Sequence, residues 1–453
     1  MKSILLHPND VMFFRDGRPM SGSLSGHGAA WPSPHVISHA LHAALHRSGI
    51  QGVHNHRRGR SGVYGEVRDR KFGSLVTAGP FPVQVHEGKR SWFFPRPTDA
   101  GAAGSVEVTL RPVIPSGASN LPLPLRYPVG NTARPSKDEV PVWWSEGAWS
   151  EYLGTSRKDR TDVPPLFCAD HDFAAHEHTY GIAIEPETGT AEEGRFYSAS
   201  HLRLKEDWRL GILAAAPDKD YHNLAGSNDL IGALLSGQGG KILVGGQQRI
   251  CSAVPDLDFS SQLPLPPGKT GEFYEHGGKF LLKWILLTPA LFPLIEAGTS
   301  KRGTARNAHP GGWLPTWICP DTGRVLLETI SPEERKRRRS LNAAGQGYAS
   351  HPDIDARLAA AITGKPLPVT GWALPNGTDR HEGGAKSTHL AVPAGSVYYF
   401  ECGSAEDAGK LAAALNWHGS GDRAAIRCRR STLMGEKGFG LGVCGAWQFH
   451  PSA

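Results

Sequence analysis

Close cysteine pairs are missing from this sequence. The six cysteines lie far apart along the 453 residues, and no two of them form a CxxC motif. Structural zinc sites and thiol redox centres depend on such spacing. The sequence therefore disfavours both classes of site, and we expect neither a cofactor nor a bound metal.

Long uninterrupted hydrophobic runs are also missing. The N-terminal residues MKSILLHPNDVMFF contain no apolar core of signal-peptide length. The longest apolar stretch, residues 280–295, contains Lys283, Pro289 and Pro293, which suits a buried strand and a turn better than a membrane span. We expect a soluble cytoplasmic protein that has reduced cysteines and no membrane partner.

Catalytic motifs are scarce as well. The sequence has no GxSxG, no HExxH and no convincing carboxylate pair on a regular element. The best catalytic hypothesis is a histidine that acts as general base on a ribose 2′-hydroxyl, as in an RNA-cleaving enzyme. These absences favour a protein that is not an enzyme.

Glycine, proline and clustered arginine are what the chain does contain. Its 55 glycines and 35 prolines are spread through apolar runs, which is typical of a folded protein with many shaped loops. The formal net charge is +6. Basic clusters can neutralise phosphates or can simply be solvated surface. The clusters are Arg57, Arg58, Arg60, Arg68, Arg70 and Lys71, then residues 335–339, then Arg423, Arg427, Arg429, Arg430 and Lys437.

The apolar pattern predicts an α+β fold. A strand over residues 3–6 precedes a long loop and a helix that carries apolar residues from Ile37 to Leu45 at helical spacing. Near the C-terminus, a strand over 396–401 precedes a helix capped by Ser404, and a final strand covers 445–449. These strand–helix–strand units predict two fused ferredoxin-like (RRM-like) domains with long glycine- and proline-rich insertions.

The proline-rich segment 255–271 is the predicted linker between the two domains. The N-terminal domain would then cover residues 1–255 and the C-terminal domain residues 272–453. After the linker, the continuous apolar run 279–288 predicts a central strand buried on both faces. Between residues 53 and 209 prolines are frequent, so we expect only short extended pieces there.

Two N-terminal-half motifs are candidates for contact with nucleic acid. In FRDGRP, the Asp16-Gly17 turn places Arg15 and Arg18 on a tight loop, where each guanidinium can hold a phosphate or pair with the aspartate. In GGQQR, amide side chains and an arginine follow flexible backbone, and together they can read base edges or phosphates. The candidate residues of this second motif are Gly246, Gln247, Gln248 and Arg249.

A glycine-rich segment, GEKGFGLGVCG at 435–445, precedes the last predicted strand. It lacks the Gly-Lys-Ser/Thr of a Walker A loop and the strand–turn–helix context of a dinucleotide-binding turn. It can cradle RNA with its backbone while Phe439 stacks on a base, or it can be a turn packed on the core. The candidate residues here are Arg429, Arg430, Gly438, Phe439 and Gly440.

Histidines recur at helical spacing on the first predicted helix. His35, His39, His42 and His46 share one face, roughly opposite the apolar one, so we expect a polar surface that can face RNA. Metal binding is the weaker alternative, because the helix has no carboxylate. A second possible metal cluster contains His171, His176 and His178 with Asp170 and Asp172.

Six ordered segments resemble one known family, the RAMP-superfamily third subunit of the type III-B CRISPR effector (Cmr) complex. FRDGRP and WPSP with its helix resemble the family's N-terminal signature, and LVGGQQRI stands where the family has a GGE-x-R turn. Gln247 replaces the acidic residue of that turn, and Met20 follows FRDGRP where the family has another apolar or aromatic residue. The remaining segments are KWILLTPALF with GGWLP, TGWALP, PAGSVYYF and GFGLGVCGAW.

The resemblance implies a non-catalytic subunit that binds the repeat-derived 5′ tag of the crRNA. Its partners would be the crRNA, the large polymerase-like subunit and the backbone RAMP subunits, with target RNA met indirectly in antiviral defence. Trp31 and Phe439 would stack on bases, the arginines would hold phosphates, and His35 would face the RNA. The alternatives are a RAMP endoribonuclease that processes precursor crRNA, and a structural wedge whose contacts are all with protein.

Overall fold

The structure is a computed structural model of the chain. It describes residues 1–17, 24–26, 29, 31–48, 56–57, 71–72, 75–101, 104–132, 140–154, 164–216, 229–236, 240–255, 268–299, 305–329, 334, 337–338, 340–341, 352–373, 384–420 and 425–451. Within these ranges most strands pair antiparallel and helices are few, so the α+β prediction is confirmed. No helix in the described part of the chain has the length and apolarity needed to cross a membrane.

The first part of the chain contains fifteen strands and four helices among the described residues. The strands are β1 (Lys2–Pro8), β2 (Leu24–Gly26), β3 (His56–Arg57), β4 (Lys71–Phe72), β5 (Val76–His86), β6 (Lys89–Pro95), β7 (Leu110–Pro112), β8 (Val129–Asn131), β9 (Trp143–Ser145), β10 (Phe167–Cys168), β11 (Ala174–Ile184), β12 (Ala191–Leu204), β13 (Trp208–Ala215), β14 (Lys241–Leu243) and β15 (Ile250–Pro255). The helices are α1 (Pro34–Arg47), α2 (Glu146–Tyr152), α3 (Asp170–Phe173) and α4 (Leu230–Ser236).

The second part of the chain contains the remaining described elements. They are β16 (Tyr274–His276), β17 (Lys279–Leu286), β18 (Gly298–Thr299), β19 (Ala305–Arg306), β20 (Ala356–Ile362), β21 (Leu367–Val369), β22 (Trp372–Ala373), β23 (Gly384–Ala385), β24 (His389–Ala391), β25 (Val397–Cys402), α5 (Ala405–Leu415) and β26 (Gly442–Ala446).

One large sheet organises the N-terminal half. Its eight strands lie in the order β10-β9-β6-β5-β13-β1-β15-β14, and β1 is central, between β13 and β15. Helix α1 covers one face, because its apolar residues Ile37, Leu41 and Leu45 are fully buried in the same core as Ile4 and Leu6 of β1. The predicted first strand and first helix are thus confirmed, and burial of one helix stripe explains why α1 docks here.

A second sheet organises the C-terminal half. Strand β17 pairs with β25 on one side and with both β16 and β26 on the other, so it is central and its last six residues are buried, as predicted. Ser404 caps α5, since its hydroxyl accepts a hydrogen bond from the Asp407 amide at 3.0 Å. The final strand, β26, begins three residues earlier than predicted.

The expectation of only short extended pieces between residues 53 and 209 is wrong. β11 and β12 form a long antiparallel hairpin, and β5 has eleven residues. The side chains of β11 are almost all exposed, so no alternating apolar pattern marks this strand in the sequence. The predicted linker lies largely outside the described residues, at 256–267.

Candidate nucleic-acid interface

The FRDG loop and the GGQQR turn, which are distant in sequence, meet in the structure. The Gly246 amide donates a hydrogen bond to the Phe13 carbonyl at 2.9 Å. Gly245 has φ of +78°, and a Cβ at this position would lie 2.4 Å from the same carbonyl oxygen. Only glycine allows this approach, so the glycine pair of the motif joins the turn to the first loop.

Two glutamines form the exposed tip of the GGQQR turn. Gln247 and Gln248 both have left-handed backbone, with φ of 57° and 53°, and both are exposed. The side-chain oxygen of Gln247 is 3.1 Å from Nε2 of the buried His201 and accepts a hydrogen bond from Arg249 at 3.1 Å. Because these contacts occupy the oxygen, the side-chain NH₂ group of Gln247 is left to donate outward.

Two arginines beside the turn are compensated by carboxylates. Asp10 lies 3.0 Å from Arg203 and 3.4 Å from Arg249, and Arg203 also pairs with Glu177. A hydrogen bond from the Val11 amide and the adjacent Arg203 lower the pKa of Asp10. These arginines therefore position the turn, and the buried Nε of Arg249 has no hydrogen-bond partner among the described residues.

Arg15 differs from these arginines. It is exposed, and the described residues provide it with no ion-pair partner. The loop that carries it is anchored two residues later, because a Cβ on Gly17 would lie 2.2 Å from the Pro368 carbonyl oxygen of β21. Arg15 thus stands on a fixed loop with its charge uncompensated, whereas Arg18 lies outside the described residues.

The glycine-rich segment packs between the two halves. Gly438 has φ of +88°, and a Cβ there would be 2.8 Å from the Thr77 carbonyl oxygen of β5. Phe439 is fully buried in a small cluster with Leu291, Val369 and Ala391. Gly440, with φ of +73°, lies against the Ser431 backbone. In this structure the segment is a packed turn, so Phe439 offers no free face to a base.

The histidine face of α1 meets this same turn. His35 stacks on Phe439 with ring centroids 6.0 Å apart, and Lys437 contacts His39 Nε2 at 2.8 Å. Burial and then the Lys437 charge lower the pKa of His35 to about 4 and that of His39 to about 3. Both imidazoles are therefore neutral at neutral pH, and the predicted polar surface is partly a contact between α1 and the glycine-rich turn.

Three other predicted residues are held by protein contacts. Trp31 donates from Nε1 to the Pro80 carbonyl at 2.9 Å, and its ring packs on Trp143 and Phe173. Arg430 donates from Nε to the Ala414 carbonyl at 2.6 Å, and its burial lowers its pKa. Arg429 is half-buried beside Gly435, where a Cβ would lie 3.6 Å from the Cβ of Arg429, and its buried Nη1 has no hydrogen-bond partner among the described residues. These contacts make the three residues supports of the fold in this structure.

The second histidine cluster does not form a metal site in the described part of the chain. Asp170 accepts a hydrogen bond from Trp143, and Asp172 accepts one from the Ala169 amide at the start of α3. His176 and His178 lie instead on β11. Among the described residues no group of three histidine, cysteine, aspartate or glutamate side chains could hold an ion.

Sequence reasoning missed Asp10, Phe13, His201 and Arg203 as parts of the site. His201 is buried, and its ring lies 5.5 Å from that of Phe13. His201 and Arg203 alternate in the segment SASHLRL, which is a strand pattern that places both on one face. That alternation is the one signal that could have identified them.

β21 is the point at which the motifs converge. The FRDG loop contacts it through Gly17, and the glycine-rich turn packs on its Val369 through Phe439. The GGQQR turn contacts the FRDG loop at the Phe13 carbonyl, and α1 contacts the glycine-rich turn where His35 stacks on Phe439. We give the name Gln–Arg surface to the exposed Arg15, Gln247 and Gln248 together with the half-buried Arg249. It combines cationic groups with outward amide donors.

Comparison with known proteins gives one family. The family model described as CRISPR-associated protein (Cas_Cmr3) matches residues 4–447. Similar solved structures include a chain of the type III-B Cmr-beta complex bound to cognate target RNA and AMPPnP, at 14% identity and a TM-score of 0.36, covering 88% of this chain and 86% of that chain. A chain of the Csm3-Csm4 subcomplex of a type III-A interference complex is 12% identical, with a TM-score of 0.33, covering 88% and 92%. No curated protein matches the sequence.

Proposed function

The chain belongs to the Cas_Cmr3 family of CRISPR-associated proteins, and on this premise we propose that it is the non-catalytic subunit that binds the repeat-derived 5′ tag of the crRNA. As a member of this family it is a subunit of a type III CRISPR effector. In the proposed assembly it docks to the large polymerase-like subunit and to the backbone RAMP subunits, and it meets target RNA only through the guide.

The convergence of the FRDG loop and the GGQQR turn into the Gln–Arg surface carries the proposal. Single-stranded RNA is recognised by cations on its phosphates and by hydrogen bonds to the edges of unstacked bases. Arg15 supplies an uncompensated charge for a phosphate, and Gln247 supplies outward NH₂ donors held in place by His201. The joined loop and turn, which carry these two groups, can therefore select a short RNA sequence.

We propose that both halves are ferredoxin-like units, divided at about residues 255–272. In the N-terminal half, the elements of this unit occur along the chain in the order β1, α1, β5, β13, α4 and β15. In the sheet, the order of the strands is β15-β1-β13-β5. In the C-terminal half, the order β26-β17-β25-β20 repeats this arrangement, with α5 between β25 and β26. A strand–helix–strand–strand–helix–strand unit produces this order.

The test is binding of a fluorescent RNA that carries the 5′ tag, compared with a scrambled tag, over a salt series with and without partner subunits. Arg15→Gln should weaken both RNAs alike and reduce the salt slope by about 0.7, the value for one phosphate contact on a single strand. Gln247→Ala should reduce the preference for the tag by about tenfold. Arg357→Gln, at an exposed position of β20, is the matched control.

Two results would overturn the proposal. Equal, salt-labile binding of both RNAs in the presence of partner subunits would leave only a generic basic surface. Loss of assembly without loss of RNA affinity in Arg15→Gln would instead favour a structural wedge.

An endoribonuclease that processes precursor crRNA is the second candidate function. It is favoured by one observation, the His42 and His46 rings packed edge to face at 4.7 Å. A histidine pair can supply a general base and a general acid for attack by a 2′-hydroxyl. Cleavage of repeat RNA to a 2′,3′-cyclic phosphate that disappears in His42→Ala would establish this function and refute the non-catalytic one.

A further inference from the structure

A cavity lies away from the Gln–Arg surface, between the two halves of the chain. Its volume is about 170 Å³. The N-terminal half contributes the end of α2 and strand β7, and the C-terminal half contributes β16, β17, β25 and β26. Tyr274 and Gln448 are exposed at its mouth, whereas Lys283 and Tyr399 are buried and form its floor.

The charged side chains that line this cavity are all cationic. They are Arg111, Lys269 and Lys283, and among the described residues no carboxylate lines it. The nearest acid, Asp99, stands behind the floor, where it accepts hydrogen bonds from Lys283 at 2.7 Å and from Tyr152 at 2.5 Å. Asp99 is thus already engaged, and the described residues give Arg111 and Lys269 no ion-pair partner.

The electrostatics of this cavity favour an anion. Burial lowers the pKa of the Lys283 ammonium, the Asp99 carboxylate opposes this, and the Arg111 charge adds to the lowering. Lys283 is paired with Asp99, but Arg111 and Lys269 have no counter-charge among the described residues, and a bound anion reduces the repulsion between them. Lys283 also retains one N–H beyond those given to Asp99 and Tyr152.

Space at the floor depends on a glycine in β26. A Cβ on Gly445 would lie 3.2 Å from Leu153 Cδ2 and 3.3 Å from Lys283 Cε. These distances are tight but short of a severe clash, so an alanine would narrow the floor and press on Lys283. The glycine therefore leaves room beside the ammonium group.

We propose that this cavity binds one phosphorylated nucleotide, with its phosphate against Arg111, Lys269 and Lys283 and its base against Tyr274 at the mouth. Arginine and lysine form charge-assisted hydrogen bonds with phosphate, and aromatic rings stack on bases. Ligand pockets for larger molecules usually exceed about 300 Å³. At about 170 Å³ this cavity is smaller than that, so it can enclose the phosphate while the base lies at its open mouth.

The test is calorimetric titration of the full chain with AMP, with adenosine as the uncharged comparison. AMP should bind and adenosine should not. Arg111→Gln and Lys269→Gln should each weaken AMP binding by about tenfold or more, because each removes a charge-assisted contact. Lys279→Gln removes the same charge from the exposed start of β17 and should leave AMP binding unchanged.

Gly445→Ala is a second variant, which keeps every charge and reduces only the room. It should also weaken AMP binding, with the thermal unfolding midpoint close to that of the wild type. Competition then identifies the source of the nucleotide. If a 5′-phosphorylated tag RNA displaces AMP, the site takes a nucleotide of the RNA; if AMP stays bound, the site takes a free nucleotide.

Absence of AMP binding at about millimolar concentration in folded protein would overturn the inference, as would equal AMP affinity in wild type, Arg111→Gln and Lys269→Gln. The inference does not depend on tag recognition. Arg15→Gln is expected to leave AMP binding intact, so failure of the Gln–Arg surface and failure of this cavity are distinguishable.

Discussion

The buried ion pair between the halves gives a quantitative prediction about stability. Lys283 on β17 and Asp99 in the N-terminal half are 3% and 0% exposed, with Nζ and Oδ2 2.7 Å apart. Tyr152 donates to the same carboxylate at 2.5 Å, and Tyr399 does so at 3.3 Å. The pair therefore joins the two halves of the chain through a network of mostly buried side chains.

Lys283→Met leaves the Asp99 charge buried without its cation. Removal of one member of a buried pair typically costs about 3–5 kcal/mol. At about 2–4 °C per kcal/mol for units of this size, the thermal unfolding midpoint should fall by roughly 10 °C. Lys279→Met, at the exposed start of the same strand, should change the midpoint by no more than about 2 °C.

The double variant separates a charge effect from a packing effect. In Lys283→Met with Asp99→Asn no uncompensated charge remains, and the amide oxygen still accepts from Tyr152. Most of the lost stability should return, to within about 1–2 kcal/mol of the wild type in urea unfolding. A single variant that loses less than about 1 kcal/mol, the value for surface pairs, would refute this reasoning.

Three further predictions concern His35 of α1, the FRDG loop and the basic run at residues 335–339. Because the pKa of His35 is lowered from 6.5 to about 4, the unfolded chain binds a proton in this pH range that the folded chain does not. The stability of the protein should therefore fall as pH drops from about 6.5 to about 4. Thermal unfolding over this range should show a smaller loss of stability in His35→Gln, and a pH profile identical to that of the wild type would contradict the assignment. Gly17→Ala should displace the FRDG loop from β21 and weaken binding of the tag RNA, whereas Gly117→Ala, where a Cβ meets no atom within 4 Å, should not. Arg338→Met should lower the thermal unfolding midpoint more than Arg337→Gln does. The reason is that Arg338 pairs with the buried Glu328 at 2.6 Å, whereas the Arg337 side chain is 63% exposed. Equal effects of the two substitutions would show that the Arg338–Glu328 ion pair does not anchor the basic run.

Several elements of the fold follow from local pattern. Helix α1 and strand β17 were predictable because an apolar stripe and a continuous apolar run identify buried elements without knowledge of their neighbours. The cap of α5 was predictable because Ser404 and Asp407 interact across three residues. The β11–β12 hairpin was not predictable, since its side chains face solvent and the pairing is made by the backbone.

The candidate site was likewise predictable from the sequence only in part. The order of its motifs resembled one family, and the family match over residues 4–447 confirms that recognition. The composition of the Gln–Arg surface was partly visible, because Arg15 and Gln247 stand in recognisable motifs. Its supports, His201 and Asp10, were not visible, because each acts through a residue that is far away in the chain.

The sequence by itself determined the fold class, the family and the motifs, because these depend on residue types and on spacings along the chain. Only the tertiary structure decided which motifs meet and which become packing. Phe439 and Trp31 have the chemistry to stack on a base, but burial of aromatic surface is favourable, and the fold buries Phe439 and packs the half-buried Trp31 against its core. The loop that carries Arg15 lies on β21 because Gly17 permits that close approach, a contact between distant residues that no local pattern encodes.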